Sequence, residues 1–366
     1  MIRRYLPKSV ADLVHWYERY ISPLSLIAGF IADNLILLRR VDTLRSNVLL
    51  ISYLFVAALG IVLIHMIETG KLRHRIFLSV APLIPVVIQF SFGGLFSGFV
   101  SLYSRSVGFA GSWIFVLLVA GLLIGNERFT RLYVRLPFQI GIYFTTLFAF
   151  LIFFLPVVMH RIGDLMFLLS GITALVLVAL LMYVLHLVVP EAEREGRMRA
   201  ARAVAIVYAL FNVLYFTHAI PPLPLALKDA GVYHSVTREG TDYLLSGEPT
   251  SWLESLLTYA RVFHRAPGES VYVYTAIFAP TGLSTTIIHQ WQHYDESAKT
   301  WLTEGVVSFP VAGGREGGYR GYSQKTTVEP GKWRVNVLTS TGDIIGRVSF
   351  TVSDATTTPV LTEFTR

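Results

Sequence analysis

The chain has 366 residues, of which 53% are hydrophobic and only 15% are charged, and its mean hydropathy is +0.55. Soluble domains carry about 25% charged residues, so this composition predicts a membrane protein. The chain has no cysteine, which excludes disulfides, thiolate catalysis and cysteine-ligated zinc or iron–sulfur sites.

The formal net charge of +7 is unevenly distributed. Residues 1–221 hold 19 Lys/Arg against 10 Asp/Glu, whereas the remaining residues hold 12 against 14. A basic balance can indicate nucleic-acid binding. Here the excess lies in short segments between apolar runs, where the positive-inside rule puts it. We therefore expect the lipid bilayer, and no nucleic acid, as the partner of this half.

Residues 1–20 predict an amphipathic helix on the inner face of a membrane. Apolar residues recur at helical spacing from Val10 to Ile21, Ser9 can cap the helix, and basic residues flank the apolar stripe.

Seven apolar stretches follow, each near the roughly 20 residues that a membrane-spanning helix needs. They lie at about 21–38, 48–67, 76–102, 107–125, 134–158, 164–189 and 201–220. We expect a seven-span transmembrane bundle over 21–221. The third stretch is long and contains Pro82 and Pro85, so it crosses the membrane either once, with a kink, or twice.

Counting basic residues predicts the orientation of the bundle. With the N-terminus inside, the inner segments carry 14 Lys/Arg and the outer loops carry 5. This asymmetry favours a cytoplasmic N-terminus. An odd number of spans then places the C-terminal domain in the periplasm of a bacterium, with the bundle in the inner membrane. If the third stretch crosses twice, the C-terminal domain is cytoplasmic instead.

Three prolines, Pro221, Pro222 and Pro224, end the last apolar stretch, because proline cannot continue a helix. Residues 222–250 are expected to form a connector, with a short helical piece at 228–234 that includes Gly231 as a stop. Residues 251–366 predict a periplasmic β domain, since the sequence period changes to two.

The strands of this domain are predicted from alternation and from turn signals between the runs. In one run Trp333, Val335 and Val337 alternate with Arg334, Asn336 and Leu338. Short strands at this spacing suggest an immunoglobulin-like β-sandwich whose core rests on packing alone. The predicted runs are 270–279, 283–294, 300–311, 319–328, 331–340 and 343–353, and 251–264 ends as a further strand.

Several runs resemble a bacterial membrane-protein family whose C-terminal module is known only as domain of unknown function 2914. They are YFTHAIPPLPLALKDAGVYHSV (215–236), HQW (289–291), GGR (313–315), PGKWRVNV (330–337), FSFGGLFSGF (90–99) and IGNE (124–127). The resemblance implies the two-part architecture of membrane bundle and β domain. It implies no activity.

Polar groups inside spans are costly and often functional. The candidates are Asp33 and Asn34 in the first span, Gln89 in the third, and Asn126 and Glu127 at the inner end of the fourth; Gln139, His186, Asn212 and His218 lie in later spans. Two interpretations stay open: a polar pocket for a headgroup, ion or proton, or hydrogen bonds that fix helix packing. For Glu127 an ion pair with a neighbouring arginine is expected.

His289, Trp291 and His293 share one face of a predicted strand. In a strand, four residues span about 13 Å, too far for the two histidines to bind one metal ion. The face is either a surface that recognises a glycan, peptide or protein, or an ordinary half-buried face with Trp291 packed on Trp333. Arg315, in a glycine-rich hairpin turn, could contact an anionic group.

The sequence contains no P-loop, GxSxG, HExxH or EF-hand pattern, and it predicts no metal or cofactor. The first hypothesis is therefore a non-enzymatic envelope protein whose β domain binds or scaffolds a periplasmic protein or glycan. The second is a membrane enzyme or a lipid or solute carrier with a site around Asp33, Asn34 and Gln89.

Overall fold

A computed structural model describes residues 44–104, 113–126, 135–217, 220, 224–240, 242–249, 261–266, 268–315, 317–355 and 359–366. The chain divides into two compact units, a helical unit that ends at Ile220 and a β unit that follows it. The helix predicted over 1–20 and the span predicted at 21–38 lie outside the described residues.

The helical unit contains the N-terminal apolar elements. Its helices are α1 (Leu44–Glu68), α2 (Arg75–Val80), α3 (Ile84–Ser104), α4 (Trp113–Asn126), α5 (Leu136–Met159), α6 (Asp164–Val188) and α7 (Pro190–Phe216). Five stretches are long and apolar enough to cross a membrane: Arg45–Glu68, Arg75–Val100, Leu136–Met159, Asp164–Val188 and Glu193–Phe216.

The third predicted span contains a 3-10 turn near its prolines. A 3-10 turn, Ala81–Leu83, joins α2 to α3 and contains Pro82. The 21 residues of α3 rise about 31 Å at roughly 1.5 Å per residue, close to the thickness of a bilayer's hydrocarbon core. One run of consecutive helical elements, from Arg75 to Ser104, therefore covers this stretch.

Aromatic packing joins α5 to the two helices that follow it. The ring of Phe148 lies 5.4 Å from Phe167 of α6, and 5.9 and 4.8 Å from Tyr208 and Phe211 of α7 (centroid distances). Gly171 permits this approach, because a Cβ there would meet the ring of Tyr208 at 2.9 Å.

The β unit contains three sheets among the described residues. Their strand orders are β1-β5-β8, β4-β10-β9-β6-β7 and β11-β3-β2. The strands are β1 (Ala226–Tyr233), β2 (Ser235–Glu239), β3 (Asp242–Gly247), β4 (Val262–Arg265), β5 (Val271–Phe278), β6 (Ser284–Asp295), β7 (Thr300–Ala312), β8 (Tyr319–Lys325), β9 (Gly331–Thr339), β10 (Ile344–Asp354) and β11 (Thr362–Thr365). The six runs predicted from 270 onward are confirmed as β5 to β10.

The segment predicted as a connector contains β1, β2 and β3. The helical piece predicted at 228–234 is wrong, because β1 pairs antiparallel with β5, for example Val232 opposite Val273. Val232 is buried in the core. Lys228, Asp229 and Gly231 suggested a short helix that ends at the glycine. Pairing with β5, about 40 residues later in the chain, makes this segment a strand instead.

The first two sheets share one hydrophobic core. It combines Val271 and Val273 of β5 with Trp291, Trp333 and Phe350 of the five-stranded sheet. The predicted phase of β9 is confirmed, since Trp333, Val335 and Val337 are at most 2% exposed. The other face of β5, with Tyr274 and Ala276, packs against Val236 and Leu245 of the third sheet. The sheet that contains β5 is therefore covered on both sides.

Candidate functional site

The outer face of the five-stranded sheet carries a continuous row of polar side chains. In β6 the odd-numbered residues His289 and Trp291 point into the core, so Gln290 and Gln292 point to the opposite face. Strand pairing places Gln290 opposite Asn336, and Gln292 opposite Arg334. Asn336 in turn lies opposite Arg347 of β10. We call Gln290, Gln292, Arg334, Asn336 and Arg347 the amide–arginine face.

Short hydrogen bonds connect these five side chains. Arg347 Nε donates to Asn336 Oδ1 at 2.6 Å, and Arg334 Nε donates to Gln292 Oε1 at 2.7 Å. Asn336 Nδ2 donates to Gln290 Oε1 and Gln292 Oε1, both at 3.1 Å. The network fixes the rotamers of long side chains, which lowers the entropy that a ligand would have to remove on binding.

Aromatic rings close one end of the amide–arginine face. The guanidinium of Arg334 lies 4.1 Å from the ring centroid of Trp301, and Tyr294 lies 5.1 Å from Trp301. Lys332 lies 5.2 Å from the Tyr294 ring and donates to Glu296 at 2.9 Å. This hydrogen bond from the ammonium group raises the pKa of Lys332.

The chemistry of this face is suited to binding. Amides offer both donors and acceptors, and guanidinium groups offer several N–H donors in one plane. Neither group gains or loses a proton near neutral pH, so these five side chains cannot act as general acids or bases. Asn336 is buried, so the half-buried Gln290, Gln292, Arg334 and Arg347 are the side chains that can hold hydroxyl and carboxylate groups. An aromatic ring lies at one end.

Of the two interpretations of His289 and Trp291, the exposed recognition face is wrong, because both side chains lie inside the core. The ring nitrogens of His289 lie 3.0 Å from Thr275 Oγ1 and 2.8 Å from Ser323 Oγ, and Trp291 Nε1 donates to Ser323 Oγ at 3.0 Å. Burial lowers the pKa of His289 to about 4, so its ring is neutral at neutral pH.

The packing that the sequence suggested as the alternative is the one observed. Trp291 makes an edge contact with Trp333 at 6.4 Å between ring centroids. His293 is half-buried and stacks on Trp333 at 4.7 Å. Trp291 and Trp333 belong to the core that the two sheets share, and half-buried His293 packs on it.

Arg315 is exposed in the turn between β7 and β8, apart from the amide–arginine face. Its guanidinium lies 5.4 Å from the ring of Tyr319. Gly313 anchors this turn against the loop after β5, because a Cβ at Gly313 would lie 1.8 Å from the carbonyl oxygen of Pro280.

Only some of the candidates predicted inside the spans lie among the described residues. Asp33, Asn34 and Glu127 lie outside the described residues. Asn126 ends α4, and Gln89 is buried in α3. Another candidate, Gln139 of α5, is fully buried, and its Oε1 accepts a 2.9 Å hydrogen bond from His65 Nε2 of α1. The sequence did not single out His65.

Sequence reasoning also missed a histidine–carboxylate cluster in the β unit. Buried His234 contacts Glu269 at 2.6 Å and Glu248 at 3.2 Å, and Glu248 contacts His264 at 2.8 Å. Burial raises the pKa of Glu248, but hydrogen bonds from the backbone and ring of His264 and from His234 outweigh it, and the pKa is lowered. Within the described ranges, no three His, Asp or Glu side chains are placed to hold a metal ion.

The amide–arginine face, in contrast, could have been found from the sequence. The alternation that marks His289 and Trp291 as one face also marks Gln290 and Gln292 as the other. Arg334 and Asn336 follow the same rule in β9. The signal that was missed is a cluster of large polar side chains on two strands that are otherwise apolar at alternate positions.

Comparison with known proteins locates one family match. Residues 284–352 match the family model described as protein of unknown function (DUF2914). The match contains HQW, GGR, PGKWRVNV and all five residues of the amide–arginine face, and it does not extend to 215–236 or to the helical unit.

No curated protein matches the chain. Among solved structures, it is similar to an alkylpurine DNA glycosylase of Pseudomonas fluorescens bound to DNA containing an abasic site analog, with 11% sequence identity and a TM-score of 0.19. The similarity covers 86% of this chain and 99% of the glycosylase chain. A TM-score this low supports no common fold, so nothing about the present chain follows from it.

Proposed function

We propose that this chain is a multi-pass protein of the bacterial inner membrane whose periplasmic β unit binds an anionic glycan of the cell envelope. The observation that carries the proposal is the amide–arginine face with Trp301 at its end. Protein interfaces are usually apolar at their centre, whereas the five central side chains here are all polar. Amides and arginines hydrogen-bond to sugar hydroxyls, and arginine pairs with carboxylates.

The proposal includes seven spans and a cytoplasmic N-terminus. Its support is that basic residues gather at one end of the helical unit. The hydrogen bond between His65 and Gln139 brings the end of α1 next to the start of α5. A pocket of about 710 Å³ at that end is lined by residues of α1, the start of α5 and the start of α7, with Arg135 and Arg199 beside Glu68 and Glu195. The positive-inside rule assigns such an end to the cytoplasm.

The proposal also assigns the β unit to the immunoglobulin-like sandwiches. Two sheets that share a core around Trp291 and Trp333 support this assignment. The third sheet and the parallel pairing of β10 with β4 are then additions to the sandwich.

Binding of the full-length protein in detergent to a uronic-acid polysaccharide tests the function. We expect polygalacturonate to bind, neutral dextran of similar size not to bind, and added salt to weaken the complex. Arg347→Gln should weaken binding about tenfold, because it removes a charge-assisted hydrogen bond worth roughly 1.5–3 kcal/mol. Arg238→Gln removes one exposed arginine from the third sheet and serves as the charge-matched control.

Equal loss in the two arginine variants would mean non-specific attraction to a basic protein and would contradict the proposal. Capture of a protein instead of a glycan would also contradict it. The second hypothesis, a membrane enzyme or carrier with a site around Asp33, Asn34 and Gln89, remains a prediction. It requires that Asp33→Asn folds normally and abolishes transport or turnover.

A further inference from the structure

A groove runs between α6 and α7 on the surface of the helical unit. Both helices pack against α5, and the space between them is a cavity of about 650 Å³. Its floor is apolar. The α7 side of the groove is shallow because small side chains line it, among them Ala200, Ala201 and Ala205. Ala201 and Ala205 are exposed, so the described residues leave this floor open.

Charged groups close one end of the groove. Glu193 is buried there and receives two hydrogen bonds from Arg197, one from Nε to Oε1 and one from Nη2 to Oε2 at 2.6 Å. His186 of α6 lies 3.2 Å from Glu193 and 3.4 Å from Arg197. The charge of Glu193 is thus matched by Arg197, whose side chain is still 56% exposed.

The dimensions of the groove match one lipid chain. Arg197 lines the charged end of the groove and Tyr208 the apolar end. The 11 residue steps between them on α7 rise about 17 Å at roughly 1.5 Å per residue. One leaflet of a bilayer contributes about half of the ~30 Å hydrocarbon core. An acyl chain that follows the groove therefore extends from the membrane interface to the region of the bilayer centre.

We propose that the groove is a binding site for one anionic phospholipid, with an acyl chain along Ala201 and Ala205 and the phosphate at Arg197 and His186. Two observations and one general rule argue for an anionic headgroup. Arg197 uses Nε and Nη2 for Glu193, so its Nη1 donors face no partner among the described residues. Exposed Arg194 lies one turn before it. Basic sites between helices on the cytoplasmic side suit acidic headgroups. The inference rests on the membrane location proposed above and is independent of glycan binding.

Native mass spectrometry of the full-length protein in detergent tests this site. The protein is mixed with phosphatidylglycerol or with phosphatidylcholine that carries the same acyl chains. We expect one phosphatidylglycerol to be retained at collision energies that remove phosphatidylcholine. The double variant Ala201→Phe with Ala205→Phe should lose at least tenfold in retained lipid, because the rings fill the groove. Ala209→Phe adds the same ring to an exposed position of α7 that does not line the groove, and should retain lipid as the native protein does.

Thermal unfolding provides the second measurement, since a ligand that binds only the folded state raises its stability. Phosphatidylglycerol should raise the Tm of the native protein and of Ala209→Phe, but not that of the milder variant Ala205→Leu. Equal retention of both lipids would overturn the anionic headgroup, and full retention by the groove-filling variants would overturn the site. Polysaccharide binding is not measured in either assay, so each proposal can fail alone.

Discussion

At the residue scale, Trp333 contacts both strand β6 and the turn before β9. Its side chain is 2% exposed, contacts Trp291 and His293, and donates Nε1 to the carbonyl of Glu329 at 2.8 Å. We predict that Trp333→Ala lowers the free energy of unfolding of the β unit by about 3–5 kcal/mol, the usual cost of removing a buried tryptophan.

Val360→Ala is the surface control for that experiment, because Val360 is 79% exposed. Its effect should stay within about 0.5 kcal/mol. Chemical denaturation of the full-length protein, followed by circular dichroism of the β signal, measures both variants. Equal and small effects would show that the phase of β9 is wrong.

His289 is expected to make the stability of the β unit depend on pH. Its pKa is lowered from 6.5 to about 4 in the folded protein because the charged ring would be buried. Between these values the unfolded chain holds a proton that the folded protein does not, so stability is fully present above about pH 6.5 and falls as the pH drops toward 4. The expected loss is on the order of 3 kcal/mol.

The variant His289→Gln isolates this effect from the titration of carboxylates. Glutamine can still hydrogen-bond Thr275 and Ser323 but does not titrate. Denaturation midpoints measured from pH 7 to pH 4 should fall less steeply in the variant than in the native protein. Parallel curves would contradict the prediction, because they would show that His289 does not contribute to the pH dependence of stability.

At the scale of elements, β1 decides where the β unit begins. It supplies an edge of the sheet that contains β5, and Val232 belongs to the core. We predict that a fragment of residues 224–366 unfolds cooperatively on heating, whereas a fragment of residues 251–366, the domain predicted from the sequence, shows no cooperative transition. A cooperative transition in the shorter fragment would mean that β5 and β10 suffice to close the core.

At the scale of the whole molecule, the orientation proposed for the helical unit rests on the positive-inside rule. We predict that alkaline phosphatase fused after Arg366 is active in a bacterial host, because it is active only when exported. Fusion of the same enzyme in the loop near Arg194, at the basic end, should be inactive. The reverse pattern would place the β unit in the cytoplasm and would remove envelope glycans as its ligands.

Local patterns in the sequence determined the apolar helices and most strands of this protein. Helices α1, α5 and α6 appear where continuous apolar stretches of sufficient length occur, since a helix satisfies its backbone hydrogen bonds within one segment. Strands β5 to β10 appear where alternation with period two meets turn residues. The inward phase of Trp333 could be predicted because its neighbours at alternate positions are apolar.

Only the tertiary structure decided which face of β6 is covered. Alternation separates His289 and Trp291 from Gln290 and Gln292, but it does not say which set meets another sheet. The covering sheet is built from β1, β5 and β8, which pair across long distances in the chain. That same long-range pairing turned residues 226–233 from a predicted connector into a strand, because backbone groups of a strand are satisfied only by a partner that local sequence does not reveal.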